Sequence, residues 1–137
     1  MKIELQNKLF EKYPKIFRQK DLSMQQTCMC WGIDCGDGWY WLLDRLCEYL
    51  QSMIDNNPST WPQIEAAQVK EKFGGLRFYY DGGHDTMAGA IMFAEDLSCY
   101  ICERCGSTHN VIQTTGWIYT LCETCMTERN KREKHKV

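Results

Sequence analysis

Nothing constrains this chain more tightly than the run Cys102-Glu103-Arg104-Cys105, followed sixteen residues later by Cys122-Glu123-Thr124-Cys125. Two Cys-x2-Cys pairs at this separation have the spacing of a four-thiolate zinc site. Two intervening residues let a tight turn aim both sulfurs at one ion, and a second pair brought back by a hairpin completes a tetrahedron. The segment Val111 to Leu121 suits that hairpin, being rich in β-branched and aromatic residues around Gly116. Gly106, directly after Cys105, is free to take the positive φ that turns backbone N–H groups toward thiolates. Four protein ligands leave no open coordination position, so the predicted metal is structural rather than catalytic. Cys99 extends the first pair to a Cys-x2-Cys-x2-Cys run, which bacterial ferredoxins use for iron–sulfur clusters. Their continuation, three residues and then Cys-Pro, is absent, and zinc is the predicted cofactor.

The thiols also bear on compartment. Nine cysteines, with no apolar stretch in the opening Met1-Lys2-Ile3-Glu4-Leu5-Gln6-Asn7, predict a reducing cytosol rather than a disulfide framework. No apolar run approaches the ~20 residues that span a bilayer. The formal charge is −2; four thiolates add four negative charges and a divalent ion returns two, giving −4. That balance argues against non-specific nucleic-acid binding by the whole surface. Residues 126–137 carry five Lys/Arg against two Glu and read as a solvated, frayed end. The expected organisation is an α+β core over 1–98, a four-cysteine zinc-ribbon module over 99–126 and a basic tail over 127–137.

Within the core, Ile3, Leu5, Leu9, Phe10 and Tyr13 predict a short amphipathic helix that stops before Pro14, with loop from Lys15 to Thr27. Cys28, Cys30 and Cys35 follow in a glycine-rich stretch. They are read either as small hydrophobes or as the start of a second metal site completed by Cys47, His84 or Cys99. A catalytic Cys35 needs a base beside it, and the sequence places none. Asp37 is a candidate N-cap for a long helix over Gly38 to Asp55, whose core stripe is Trp39, Leu42, Leu43, Leu46, Leu50, Met53 and Ile54. Trp41, Arg45 and Tyr49 step by four along its other side. They either pack beneath the first helix or form a partner-binding patch.

Val69 to Tyr80 reads as a β-hairpin turning on Gly74-Gly75. Lys72 then opposes Arg77, Lys70 opposes Tyr79 and Val69 opposes Tyr80. One face carries Val69, Phe73, Leu76, Phe78 and Tyr80, with Glu71 fitting poorly among them. The other carries Lys70, Lys72, Arg77 and Tyr79. Like charges directly opposed are unfavourable, which predicts an anion nearby, either an acidic side chain or a bound phosphate. Asp81 to Asp85 reads as a turn, after which Asp85 caps a helix through Met87, Ile91, Ala94 and Leu97.

Four blocks carry a resemblance: Cys35-Gly36-Asp37-Gly38-Trp39-Tyr40, Val69 to Tyr80, Cys102-Glu103-Arg104-Cys105-Gly106 and Leu121-Cys122-Glu123-Thr124-Cys125. Over residues 28–125 the chain resembles small proteins of tailed bacteriophages and prophages that share the Lys-Glu-Lys-Phe-Gly-Gly-Leu-Arg-Phe-Tyr core and a C-terminal four-cysteine ribbon. The resemblance implies an accessory protein working in a bacterial cytosol, with zinc at Cys102, Cys105, Cys122 and Cys125. It carries over no catalytic residue. Three functional expectations follow. The first is a non-enzymatic protein that binds, and blocks or redirects, a bacterial host protein such as a defence or regulatory factor, through Trp41, Arg45 and Tyr49. The second is nucleic-acid or nucleotide binding through Lys70, Lys72, Arg77 and Tyr79. The third is a hydrolase or transferase, which requires Asp34, Asp37, His84 and Asp85 to converge.

Overall fold

Apolar residues at helical spacing coil the segment after Gly38 into the longest helix, and the remaining elements pack around its stripe. A computed structural model describes residues 1–136. The helices are α1 (Ile3–Lys12), α2 (Tyr40–Asn56), α3 (Met87–Ser98) and α4 (Glu123–Lys134). The strands are β1 (Ile33–Asp34), β2 (Ile64–Lys72), β3 (Gly75–Gly82), β4 (Val111–Gln113) and β5 (Thr120–Cys122). The architecture is α+β, with a three-stranded sheet in the order β1-β2-β3 and a separate β4-β5 hairpin. Among the described residues no helix is long and apolar enough to cross a membrane.

Leu43, Cys47 and Leu50 of α2, with Trp39 just before it, are fully buried together with Ile64, Val69 and Leu76 of the sheet and Met87 of α3. The loop between α1 and α2 contributes more to this core than its mixed sequence signal suggests. Ile16, Phe17 and Met29 are fully buried, and the Ile16 carbonyl accepts the Ala66 N–H at 2.7 Å. Gln19, also buried, donates to Asp81 and Glu65 and accepts from the Thr27 hydroxyl. Thr27 in turn donates to the Ala67 carbonyl at 3.2 Å, where the pairing of β2 with β3 shifts between Ala66 and Gln68. That bulge lets Ile64, Ala66 and Val69 all face inward despite their mixed parity. β1 adds a parallel edge to β2, with Ile33 beside Val69 and Asp34 beside Lys70, a pairing the hairpin reading did not contain.

The hairpin turns one residue earlier than expected. Phe73 and Gly74 are the loop, both at positive φ (53° and 78°), while Gly75 pairs with Lys72. Lys70 therefore opposes Arg77, Glu71 opposes Leu76 and Val69 opposes Phe78, in place of Lys72–Arg77, Lys70–Tyr79 and Val69–Tyr80. Phe73 leaves the core face and is 69% exposed. Glu71, the misfit of that face, accepts the Gly74 N–H at 2.9 Å and closes the turn. The opposed cations have an acidic neighbour: Asp34 stands in register with Lys70 on its other side.

Both expected aspartate caps are absent. Asp37 accepts the backbone N–H of Lys2 at 2.8 Å and lies in a 3-10 turn (Asp37–Trp39) that precedes α2. At α3 the N-cap is Thr86, whose N–H and hydroxyl meet His84 Nδ1. The basic tail is α4 as far as Lys134, not a frayed end. Trp41 and Tyr49 do not lie beneath α1. That helix takes the flank of α2 carrying Asp44 and Glu48, where Tyr13 donates to Asp44 and Lys12 pairs with both acids.

Two outcomes test this core. Leu50→Ala empties a fully buried position beneath the sheet and is expected to lower unfolding free energy by about 2–5 kcal/mol, read from urea midpoints. The Glu65 carboxylate is held below its ordinary range by the Arg18 guanidinium. Its contribution is therefore present above the unfolded carboxyl pKa and is lost as pH falls through the depressed folded one. Wild type should lose stability more steeply than Glu65→Gln below about pH 4.3.

Candidate metal centre

The metal centre is assembled by a knuckle, a hairpin and a helix. At the knuckle the Cys102 N–H donates to the Ser107 carbonyl, the Gly106 N–H donates to the Cys102 carbonyl, and Gly106 sits at φ 81°. The chain then runs out along β4 and returns along β5, with Val111 opposite Cys122 and Gln113 opposite Thr120. That register returns Cys122 to the knuckle. Cys122 is the N-cap of α4 and Cys125 lies in its first turn, so the second pair sits on a helix start rather than on a second knuckle. Free N–H groups and the helix dipole favour negative charge there.

All four sulfurs lie within 4.8 Å of one another, and those of Cys105 and Cys122 are 3.7 Å apart. A tetrahedron with metal–sulfur bonds of ~2.3 Å has edges of about 3.8 Å, whereas a disulfide needs ~2.05 Å. The separations fit a shared cation and no disulfide. The thiols differ in their pull on protons. Burial opposes ionisation of Cys102, yet the backbone N–H groups of Cys122, Cys105 and Arg104 prevail and lower its pKa to about 7. At Cys105 the Ser107 N–H favours the thiolate, but burial and the neighbouring sulfurs outweigh it and raise the pKa. Burial and the neighbouring sulfurs raise Cys125 too. A bound cation relieves this mutual repulsion, and the four residues form a cluster fit to hold a metal ion. When bound, it supplies cross-linking rather than reactivity, because every ligand position is protein sulfur.

The centre is pressed onto the core through glycines. Gly38 donates its N–H to the Glu103 carbonyl at 2.7 Å, and the Trp39 indole N–H donates to the Ile101 carbonyl at 2.9 Å. A Cβ on Gly38 would stand 2.1 Å from the Cys102 carbonyl oxygen, and one on Gly36 would stand 2.2 Å from that of Glu103. Gly74, at the hairpin turn, accepts from Thr120 and Gln113 of the β4-β5 hairpin. The conspicuous Cys-Gly-Asp-Gly-Trp and Phe-Gly-Gly blocks are thus the surfaces on which the metal module docks. Hydrogen bonds cross the expected boundary at residue 98 throughout.

Among the described residues, Cys102, Cys105, Cys122 and Cys125 form the one group of three or more metal-type ligands drawn together. Cys99 stands outside it. Cys28 is exposed, Cys30 points its thiol at the Thr27 carbonyl, and Cys47 is fully enclosed. Burial pushes the Cys35 thiol up to about 12, and it stands outside the four-sulfur cluster. The acid–base residues are dispersed. Asp37 is engaged by Lys2, Asp34 lies beside Lys70, and His84 stacks on Trp61 with ring centroids 4.8 Å apart near the Gly82 end of the sheet.

The two predicted binding faces fare differently. Trp41 (63% exposed), Arg45 and Tyr49 (51%) stay on the surface of α2. Arg45 and Tyr49 border a groove of about 420 Å³ whose far wall, from α3, includes Ala90, Phe93 and Leu97. Sequence reading missed α3 as a contributor, although Met92 and Phe93 were legible as apolar residues out of step with its buried side. Lys70, Lys72, Arg77 and Tyr79 do share one sheet face, but Arg77 turns back to donate to the Leu76 carbonyl.

Substitution at the glycine contact separates docking from ligation. Gly38→Ala keeps all four sulfurs, yet its methyl group collides with backbone that has no room to yield. Protein carrying this change is expected to melt earlier and to release metal faster to a chelator, followed by a colorimetric zinc dye. Cys125→Ser is expected to lower the bound metal below one ion per chain by elemental analysis.

No protein-family model, no curated protein and no solved structure matches this chain.

Proposed function

We propose that this is a zinc-stapled, non-enzymatic binding protein of the phage accessory type, which acts in the bacterial cytosol by capturing a host protein through the α2–α3 face. The observation that carries this reading is the apolar character of α3 on both sides. Met87, Ile91 and Ala94 are buried against the core, while Met92 and Phe93 (63% exposed) face solvent, Phe93 bordering the same groove as Arg45 and Tyr49 of α2. A helix apolar all round is ordinarily enclosed, and aromatics grouped with an arginine are the usual anchors of protein interfaces.

Self-pairing fits this face poorly. Arg45 lies midway between Trp41 and Tyr49, so an antiparallel copy of α2 laid along the stripe brings Arg45 against its own equivalent, a repulsion that the exposed pair with Glu48 at 3.4 Å only partly offsets. A foreign partner presenting apolar side chains around a carboxylate meets the stripe without that repulsion. Zinc is the cation of choice for four thiolates, and its part is to hold the scaffold behind the face. The phage-type resemblance supplies the setting, since accessory proteins of that kind meet host factors in the cytosol.

The double substitution Trp41→Ala and Tyr49→Ala is expected to weaken capture of the host protein from bacterial lysate at least tenfold, at unchanged zinc content. Undiminished capture by that variant sinks the assignment of this surface.

A further inference from the structure

The face just proposed leaves the most exposed large apolar side chain among the described residues unexplained. Trp117 is 77% exposed on the loop between β4 and β5. That loop lies against the β2-β3 turn, where Ile118 and Thr120 meet Gly74. Trp117 borders two cavities. One, of about 370 Å³, is shared with Lys70, Lys72 and Phe73. The other, of about 540 Å³, is shared with Tyr119 and Arg129. Each cavity thus pairs Trp117 with an aromatic ring that already holds a cation. The Lys72 ammonium is 5.6 Å from the Phe73 ring centre, and the Arg129 guanidinium is 4.0 Å from that of Tyr119.

Two acids share the first cavity and offset its two lysines. Glu71 accepts the Gly74 N–H, and Asp34 stands in register with Lys70. Past Arg129, α4 continues with Lys131, Arg132 and Lys134, all exposed and, among the described residues, in no ion pair. Arg129 is itself paired with Glu133 at 2.6 Å, so the surplus of positive charge lies on the last turns of α4, in a chain whose formal charge is −2.

We propose that the Phe73-Gly74 turn, the Trp117 loop and the outer side of α4 form a binding track for single-stranded nucleic acid. Bases stack on Phe73, on Trp117 and on the Tyr119–Arg129 pair, while phosphates pass Lys70, Lys72 and the outer cations of α4. Flat rings interleaved with cations bind unpaired strands with little sequence preference, because every base offers a π-face and every linkage a charge. A duplex keeps those faces stacked on one another. A mononucleotide fills one side of Trp117 and leaves the other empty. The track uses Lys70 and Lys72 of the expected basic face but not Arg77, which is bound to its own backbone, nor Tyr79, which stands opposite Gln68. It does not depend on the host-protein reading.

The test uses the full-length metal-loaded protein and a fluorescein-labelled oligothymidylate of about twenty nucleotides, followed by anisotropy between about 50 and 200 mM salt. The expected result is binding whose logarithm falls by about 0.7 for each phosphate contacted per decade of salt. Trp117→Ala should weaken it about tenfold. Lys70→Glu combined with Lys72→Glu should flatten the salt dependence, and Tyr79→Ala should leave affinity unchanged. Trp117 lies outside both buried clusters, so unaltered zinc content in its variant shows an intact fold. The proposal is overturned by no binding at low salt, by binding indifferent to Trp117→Ala, by equal affinity for the duplex, or by AMP competing at the oligonucleotide's own concentration.

Discussion

Four sulfur atoms within 4.8 Å of one another are the constraint on which the C-terminal part of this chain rests. As thiolates they repel, and as thiols they offer little cohesion. Among the described residues the buried cluster around them consists of Cys102, Leu121, Cys122 and Cys125, with Val111, Tyr119 and Met126 at its margin. A core that small does not offset the entropy of ordering a knuckle, a hairpin and a helix start. A cation held by the four sulfurs would do so by exchanging repulsion for coordination. The knuckle, the hairpin and the start of α4 meet at these sulfurs, and the loop bearing Trp117 and the position of α4 follow from that junction.

The second determinant is how closely two backbones approach. Gly36 and Gly38 bring the segment before α2 against the carbonyls of Glu103 and Cys102, at separations that exclude any side chain. Trp39 then reaches across with its indole while its rings fill the core. Through that one residue the α+β layer and the metal module share a hydrogen bond and a packing contact. Gly74 makes a second such seam against the β4-β5 hairpin. Two seams at different places fix the orientation of the module, and both are built from the glycine-rich blocks that stand out in the sequence. Those blocks look like ligand loops and act as joints.

The joints leave two surfaces free on different elements. One is the α2–α3 groove, apolar apart from Arg45 and Thr86, which suits a folded partner. The other surrounds Trp117, where rings and cations alternate. Both draw on residues that no internal packing explains, and they differ in charge as in shape. A scaffold of 137 residues can present two faces in this way because neither helps to hold the core.

Much of the architecture was legible one segment at a time. Cysteine spacing named the four converging thiols, because two-residue loops and a hairpin leave few other ways to bring four thiols together. Period-3.6 apolar stripes located α1, α2 and α3, and alternation located β2 and β3, since each element must bury one face. What escaped depended on partners distant in the chain. The turn at Phe73-Gly74, rather than Gly74-Gly75, is set by Glu71 and by the docking of Gly74 on Thr120, which outweigh about 1 kcal/mol of strain at a non-glycine residue with positive φ. Asp37 answers Lys2 instead of capping α2. The exposure of Trp41 and Tyr49 was open until α1 chose the flank bearing Asp44 and Glu48. The sequence by itself determined which four thiols come together, which faces are apolar and where helices and strands form, because those are local properties of spacing and side-chain chemistry. Register, capping and which aromatics remain in solvent were decided only by tertiary structure, because each is a competition among contacts that exist once the chain has closed.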